Sequence, residues 1–193
     1  SPPPIDPNQP VTFVVTDIEA DGPSPLASSM LSFASVACDV TGKVLGEFGL
    51  ATDSWGRSPY MEQDKAGVHF HNSLWASALS GLSGAAAFWW WETLDQNNAY
   101  PHYRPLAAFL AKIPWTTGGW QALNQATDAE KGRVLVLHSE RRAACWIFNP
   151  QATWWNSVVT QQTPKPVEGE TFTLSGMAPG TYQVEWWDTV TGT

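Results

Sequence analysis

Positive charge is scarce in this chain. Its 193 residues hold 10 Lys and Arg against 18 Asp and Glu, a formal net charge of −8. Phosphate backbones are held by clustered Lys and Arg, so this balance argues against a broad nucleic-acid surface. Up to Glu47 the basic residue Lys43 stands alone against Asp6, Asp17, Glu19, Asp21, Asp39 and Glu47, an end that repels polyanions unless divalent cations neutralise it. No apolar run is long enough to span a bilayer, and no basic, apolar signal segment opens the chain. There are two cysteines, Cys38 and Cys145, both in apolar strand-like runs. Buried free thiols are the expectation, a disulfide being the alternative. No Cys/His spacing matches a zinc site, no internal repeat is visible, and neither a Gly-x-Ser-x-Gly elbow nor a phosphate loop is present.

What is abundant is tryptophan, with 12 residues, within a hydrophobic share of 43% that supports a packed core. Indoles stack on the C–H faces of sugar rings, and they also fill cores and interfaces. Trp154-Trp155 and Trp186-Trp187 are adjacent pairs. In a strand only one of each pair points inward, leaving the other for a sugar or another protein.

The pattern predicts an α+β chain: a small mixed sheet with two helices, followed by a C-terminal antiparallel β-sandwich. Residues 1–10 are a Pro-rich extended lead-in. Residues 11–115 form the α+β domain, 116–132 a polar connector, and 133–193 the sandwich. Strands are expected at Val11–Val15, Met30–Val40 and Val44–Leu50 as a meander. Apolar spacing at Leu74, Trp75, Ala78 and Leu79 gives a helix over 71–79, ended by Gly81 and Gly84. Ala85–Trp91 has strand length, Asp95–Asn98 reads as a loop, and 103–113 as a helix with Pro105 in its first turn. Val134–His138, Ala143–Phe148, Thr171–Leu174 and Tyr182–Trp187 are the sandwich strands.

Asp17 and Glu19 stand two apart at a strand end and share one face. Such a pair suits a hard divalent ion such as Mg²⁺ or Mn²⁺. The run VVTDIEADGP, Val14 to Pro23, resembles the first metal-binding motif of the DEDD 3′–5′ exonucleases, and SMLSFASVACD the strand after it. That resemblance covers roughly the first quarter of the chain and implies Asp17 and Glu19 as metal ligands. The family's two later aspartates have no counterpart here: His71-Asn72 lacks an Asp at a suitable offset, and Gln125–Ala129 lacks the final His or Tyr.

A second resemblance covers roughly the last three-quarters. VLGEFGLATD is similar to the nucleophile strand of retaining TIM-barrel β-glycosidases, which places Glu47 at the nucleophile position. HNSLWASALSGLSGAAAFWWWETLDQNNAY, from His71, resembles the seventh helix, eighth strand and following loop of cellulase-like members; VEWWDTVTG, Val184 to Gly192, resembles the close of their β-domain. The resemblance implies Trp91 as the sugar platform, with Trp89 on the same strand face and His71 among the substrate-binding residues. Glu92 stands where many relatives carry Asp. In retaining enzymes the two carboxyl groups sit about 5–5.5 Å apart. A complete barrel takes about 250 residues, so strands one to six and the family's acid/base are missing. The partner of Glu47 must then be Glu19, Asp17, Glu92 or a group from a second copy of the chain.

Together these readings describe a chimera joined near Glu47-Phe48, a dipeptide that a common cloning palindrome can encode. The expected function is retaining hydrolysis of glycosidic bonds, catalysed by Glu47 and Glu92 on an oligo- or polysaccharide, with no cofactor. The alternatives are a metal-dependent exonuclease and a non-catalytic carbohydrate-binding module. A homodimer follows if a partner covers the open half-barrel edge. Among smaller signals, His69 and His71 flank Phe70 and would share a face if extended; His138-Ser139-Glu140 looks triad-like, but triad members meet in space rather than in sequence.

Overall fold

The computed structural model describes residues 13–20, 30–38 and 44–46 as strand backbone, and residues 57–81, 88, 90–117 and 119–193. Two compact units emerge. The first comprises Ser1–Gly49 with Ala86–Trp89, and the second Leu50–Ala85 with Trp90–Thr193.

The first unit holds three antiparallel strands in the order β1-β2-β3: β1 Phe13–Ala20, β2 Met30–Cys38 and β3 Val44–Gly46. Adjacent antiparallel strands in chain order make the expected meander. The ladder is not uniform. Its register shifts between Glu19 and Ala20 on β1, and between Ala37 and Cys38 on β2. Parallel pairing, which a mixed sheet requires, does not occur among the described residues.

The second unit combines helices with a second three-stranded antiparallel sheet, so the chain is α+β. Helix α1, Val68–Leu79, starts at Gly67, which adopts a left-handed φ of 64°. The buried Asp64 carboxylate accepts the Val68 and His69 N–H groups at 2.9 and 2.8 Å. It thereby satisfies two amides that the first turn leaves without carbonyl partners. The helix stops at Leu79, and Gly81 takes φ +81° beyond it. Phe70, Leu74, Trp75, Ala78 and Leu79 are buried, as their helical spacing requires.

Trp91 opens helix α2, Trp91–Gln96, instead of ending a strand. The acidic Glu92 in the first turn complements the helix dipole, and Thr93 and Leu94 are buried beneath it. Local helix chemistry in WETLDQ outweighs the apolar run before it. Helix α3, Tyr103–Leu110, carries Pro105 in its first turn, where a missing N–H costs nothing.

The second sheet runs β4 Gln121–Ala126, β5 Arg133–His138 and β6 Ala143–Phe148 in sequential order. Strand β4 falls in the segment 116–132 read as a connector. Its polar residues disguise it: Gln121, Ala122 and Asn124 are exposed, and it pairs on one side only. Central β5 is buried from Val134 to His138. The register puts Leu135 and Leu137 on one face beside Trp146 and Ala144, and Val134, Val136 and His138 on the other. Helix α1 lies against β5 and β6, and a side chain at Gly81 would touch Ala122 on the Leu135 face.

The Val136 face is covered by the tail. Asp128 N–H donates to Thr171 O, Gln125 Nε2 to Thr173 O and Ala178 N–H to Glu140 O, while Gly176 packs on His138. The segment 170–178 therefore runs antiparallel to β4. Further on, Lys112 pairs with Glu185, Trp187 packs on Phe109 with ring centroids 6.0 Å apart, and Gly192 abuts Pro105. The strands expected at Thr171–Leu174 and Tyr182–Trp187 are irregular chain, so a second sheet facing β4–β6 is not shown. Prolines at 164, 166 and 179, with positive φ at Gly169, Gly176 and Gly192, break the tail around these two segments. Among the described residues, no helix is long and apolar enough to cross a membrane.

Candidate functional site

Only part of the set named from sequence falls within the described residues. Glu47 and Trp89 lie outside them. Glu92 is exposed on the first turn of α2, directly after Trp91. Asp17 and Glu19 occupy alternate positions of β1, opposite Ala34 and Ser32 of β2. Among the described residues no group of three or more His, Cys, Asp or Glu could hold a metal ion. Cys145 is a free, half-buried thiol whose pKa burial raises. Cys38 lies on β2.

His71 is half-buried on α1, its ring centroid 5.6 Å from His102 and 6.3 Å from Trp75. Burial, and then the neighbouring His102, pushes its pKa down to about 4, against a smaller upward pull from Asp188. A histidine so placed is neutral at pH 7 and serves as a hydrogen-bonding or packing group. His69 and His71 sit on a helix, not a strand, so two residues of separation turns them apart. His69 instead faces Trp154, with centroids 6.2 Å apart.

That contact marks a site that sequence reasoning left as a generic tryptophan pair. Tyr60, Trp154 and Trp155 form a surface cluster. Trp155 stands edge-on to Tyr60 at 6.0 Å and to Trp154 at 5.7 Å, while Tyr60 and Trp154 lie 6.4 Å apart. Trp155 keeps 48% of its surface exposed and Tyr60 37%. The loop that presents the indoles is heavily tied. Asn149 Oδ1 accepts Gln151 N–H at 2.8 Å, Asn72 Nδ2 on α1 donates to Ala152 O at 2.9 Å, and Thr153 Oγ1 accepts Asn156 N–H at 3.1 Å. Asn156 Nδ2 then donates back to Gln151 O at 2.8 Å. A single wide helical turn, Trp155–Val159, follows. Such i→i+5 turns are rare and recur at functional sites. The sequence signal was the polar frame Asn149-Pro150-Gln151 before Trp154-Trp155, and its partner Asn72 lies in a distant helix.

No family model, curated protein or solved structure matches the chain.

Proposed function

We propose that this protein binds oligo- or polysaccharide, with Tyr60, Trp154 and Trp155 as the platform. The observation that carries this reading is the partly exposed aromatic cluster on a hydrogen-bonded loop, since indoles held in place present large contact area at little entropic cost. On α1, His69 packs edge-on against Trp154 and Asn72 holds the loop through Ala152 O. The resemblance of the run from His71 onward to a cellulase-like tail agrees with the ligand class. Within this reading a C-terminal β-sandwich would be completed if the segments 171–174 and 182–187 paired as strands.

Titration with soluble β-glucan, xylan and mannan is expected to shift tryptophan fluorescence. Trp155→Ala should weaken binding about tenfold or more. A flat titration across all three would sink the reading.

Retaining glycoside hydrolysis is the second reading, favoured by the exposure of Glu92 beside Trp91. Glu47 would be the nucleophile and Glu92 the acid, or a second copy of the chain would supply the missing carboxyl group. Nitrophenyl glycosides assayed with Glu47→Gln and Glu92→Gln decide it, and unchanged rates end it. Light scattering at the mass of a single chain removes the homodimer. A divalent Mg²⁺ or Mn²⁺ ion at Asp17 and Glu19 is the remaining proposal; Mn²⁺ broadening of β1 resonances, abolished by Asp17→Asn, tests it.

A further inference from the structure

The β5–β6 hairpin carries a feature that the aromatic platform does not use. Strand β5 ends at His138 and β6 begins at Ala143, and Ser139 N–H donates to Arg142 O at 2.8 Å to close the turn. Against this turn lies a cavity of about 700 Å³, lined by His138, Ser139, Glu140, Arg141, Arg142 and Gly176 among others. His138 is only 6% exposed, and its Nδ1 is buried with no hydrogen-bond partner. A buried polar atom without a partner is costly, and a bound ligand group can supply one.

The tail shapes the opposite wall. Ala178 N–H donates to Glu140 O at 2.8 Å, which docks the tail on the turn. Gly176 adopts φ +81°, and a Cβ there would sit 3.2 Å from His138 Cε1. Glycine is what lets the backbone close over the imidazole.

Charge gives the ligand its class. Arg141 and Arg142 are both exposed, and among the described residues neither takes part in a salt bridge. Two adjacent guanidinium groups outside any salt bridge concentrate positive charge on one rim of the cavity. Guanidinium binds carboxylate through paired, charge-assisted hydrogen bonds. Glu140 and Ser139 stand on the same rim, where they accept and donate to hydroxyl groups. The carboxylate of Glu140 disfavours a dianion such as phosphate and tolerates a ligand with one negative charge and several hydroxyls.

We infer that this cavity is a binding site for a uronate, a sugar unit bearing one carboxylate. Arg141 and Arg142 hold its carboxylate, Ser139 and Glu140 its hydroxyls, and His138 forms the floor. The sugar class rests on the carbohydrate reading above; the carboxylate class rests on the two arginines alone.

Calorimetric titration of the full chain with methyl galacturonoside, which carries a single carboxylate, is the test. The acid form is expected to bind, and its methyl ester to bind about tenfold more weakly or worse. Arg141→Gln/Arg142→Gln should lose at least as much, and both positions are exposed, so the fold is spared. Arg104→Gln, which removes a positive charge from α3, should leave the affinity unchanged. Equal binding of acid and ester, full affinity in the double variant, or no binding of the acid overturns the inference. Inorganic phosphate binding as tightly as methyl galacturonoside also overturns it. If neutral polysaccharides fail while arginine-dependent uronate binding holds, only the Tyr60–Trp155 platform falls. If neutral polysaccharides bind and the ester matches the acid, only the uronate site falls.

Discussion

Two sheets of the same topology occur in this chain, and they are held differently. Each is a three-stranded antiparallel meander in sequential order. In β1–β3 the strands differ in length, at 8, 9 and 3 residues, and the register slips twice. In β4–β6 all three strands have six residues and the pairing runs without a shift. Burial of the central strand accounts for the regularity of the second sheet. A one-residue slip of β5 would move Leu135 and Leu137 to the Val136 face, and both faces are filled. The slip at Glu19/Ala20 is one of backbone pairing between β1 and β2.

The strongest way to break this comparison is to unseat the helix over β4–β6. Trp75 is 1% exposed on α1 and packs on Phe109 at 5.2 Å. Trp75→Ala is expected to cost about 3–5 kcal/mol in a urea melt. Hydrogen-exchange protection should fall across β4–β6; unchanged protection there would mean that α1 does not hold this sheet.

Removing the cover of the other face is the next test. Gly176→Ala forces a side chain into a left-handed backbone and against His138. About 1–2 kcal/mol should be lost, read as a lower urea midpoint. No change would show that the tail does not seal the Val136 face.

A third prediction concerns pH. The folded pKa of His71, about 4, lies below its ordinary 6.5, so the unfolded chain binds the proton more tightly. Its neutral state therefore supports folding above pH 6.5, and that support drains away as pH falls through 6.5 toward 4. The acid limb of the melting temperature should be shallower in His71→Gln. An unchanged acid limb would show that His71 is not the group whose protonation weakens the fold.

The smallest effect is expected at the surface. Lys112 pairs with Glu185 and lies 4.5 Å over the Trp187 ring, with half its side chain exposed. Lys112→Ala should cost less than about 1 kcal/mol. A larger loss would mean that the tail is anchored there and not at Gly176.

Much of the local structure was legible along the chain. The meander of β1–β3, the helix through Leu74 and Trp75, Pro105 opening α3, and the apolar strands β5 and β6 all follow from period and turn chemistry. Strand β4 was hidden because an exposed edge strand needs no apolar alternation. Helix α2 was hidden because Trp89-Trp90-Trp91 reads as a buried run until Glu92 is weighed as a helix-start residue.

The sites were less legible. Trp155 looks no different in sequence from Trp75, yet one is 48% exposed and the other 1%. Asn72 ties down a loop 80 positions away, and Gly176 closes over His138 from the tail.

The sequence alone determined α1, α3, β5 and β6, because hydrophobic period, caps and turns act over a few residues. Which aromatic rings reach solvent, which faces of β5 are covered, and which arginines stay unpaired was decided by tertiary structure. Those properties depend on chain segments that meet only when apolar surface is buried, and local pattern carries no record of that meeting.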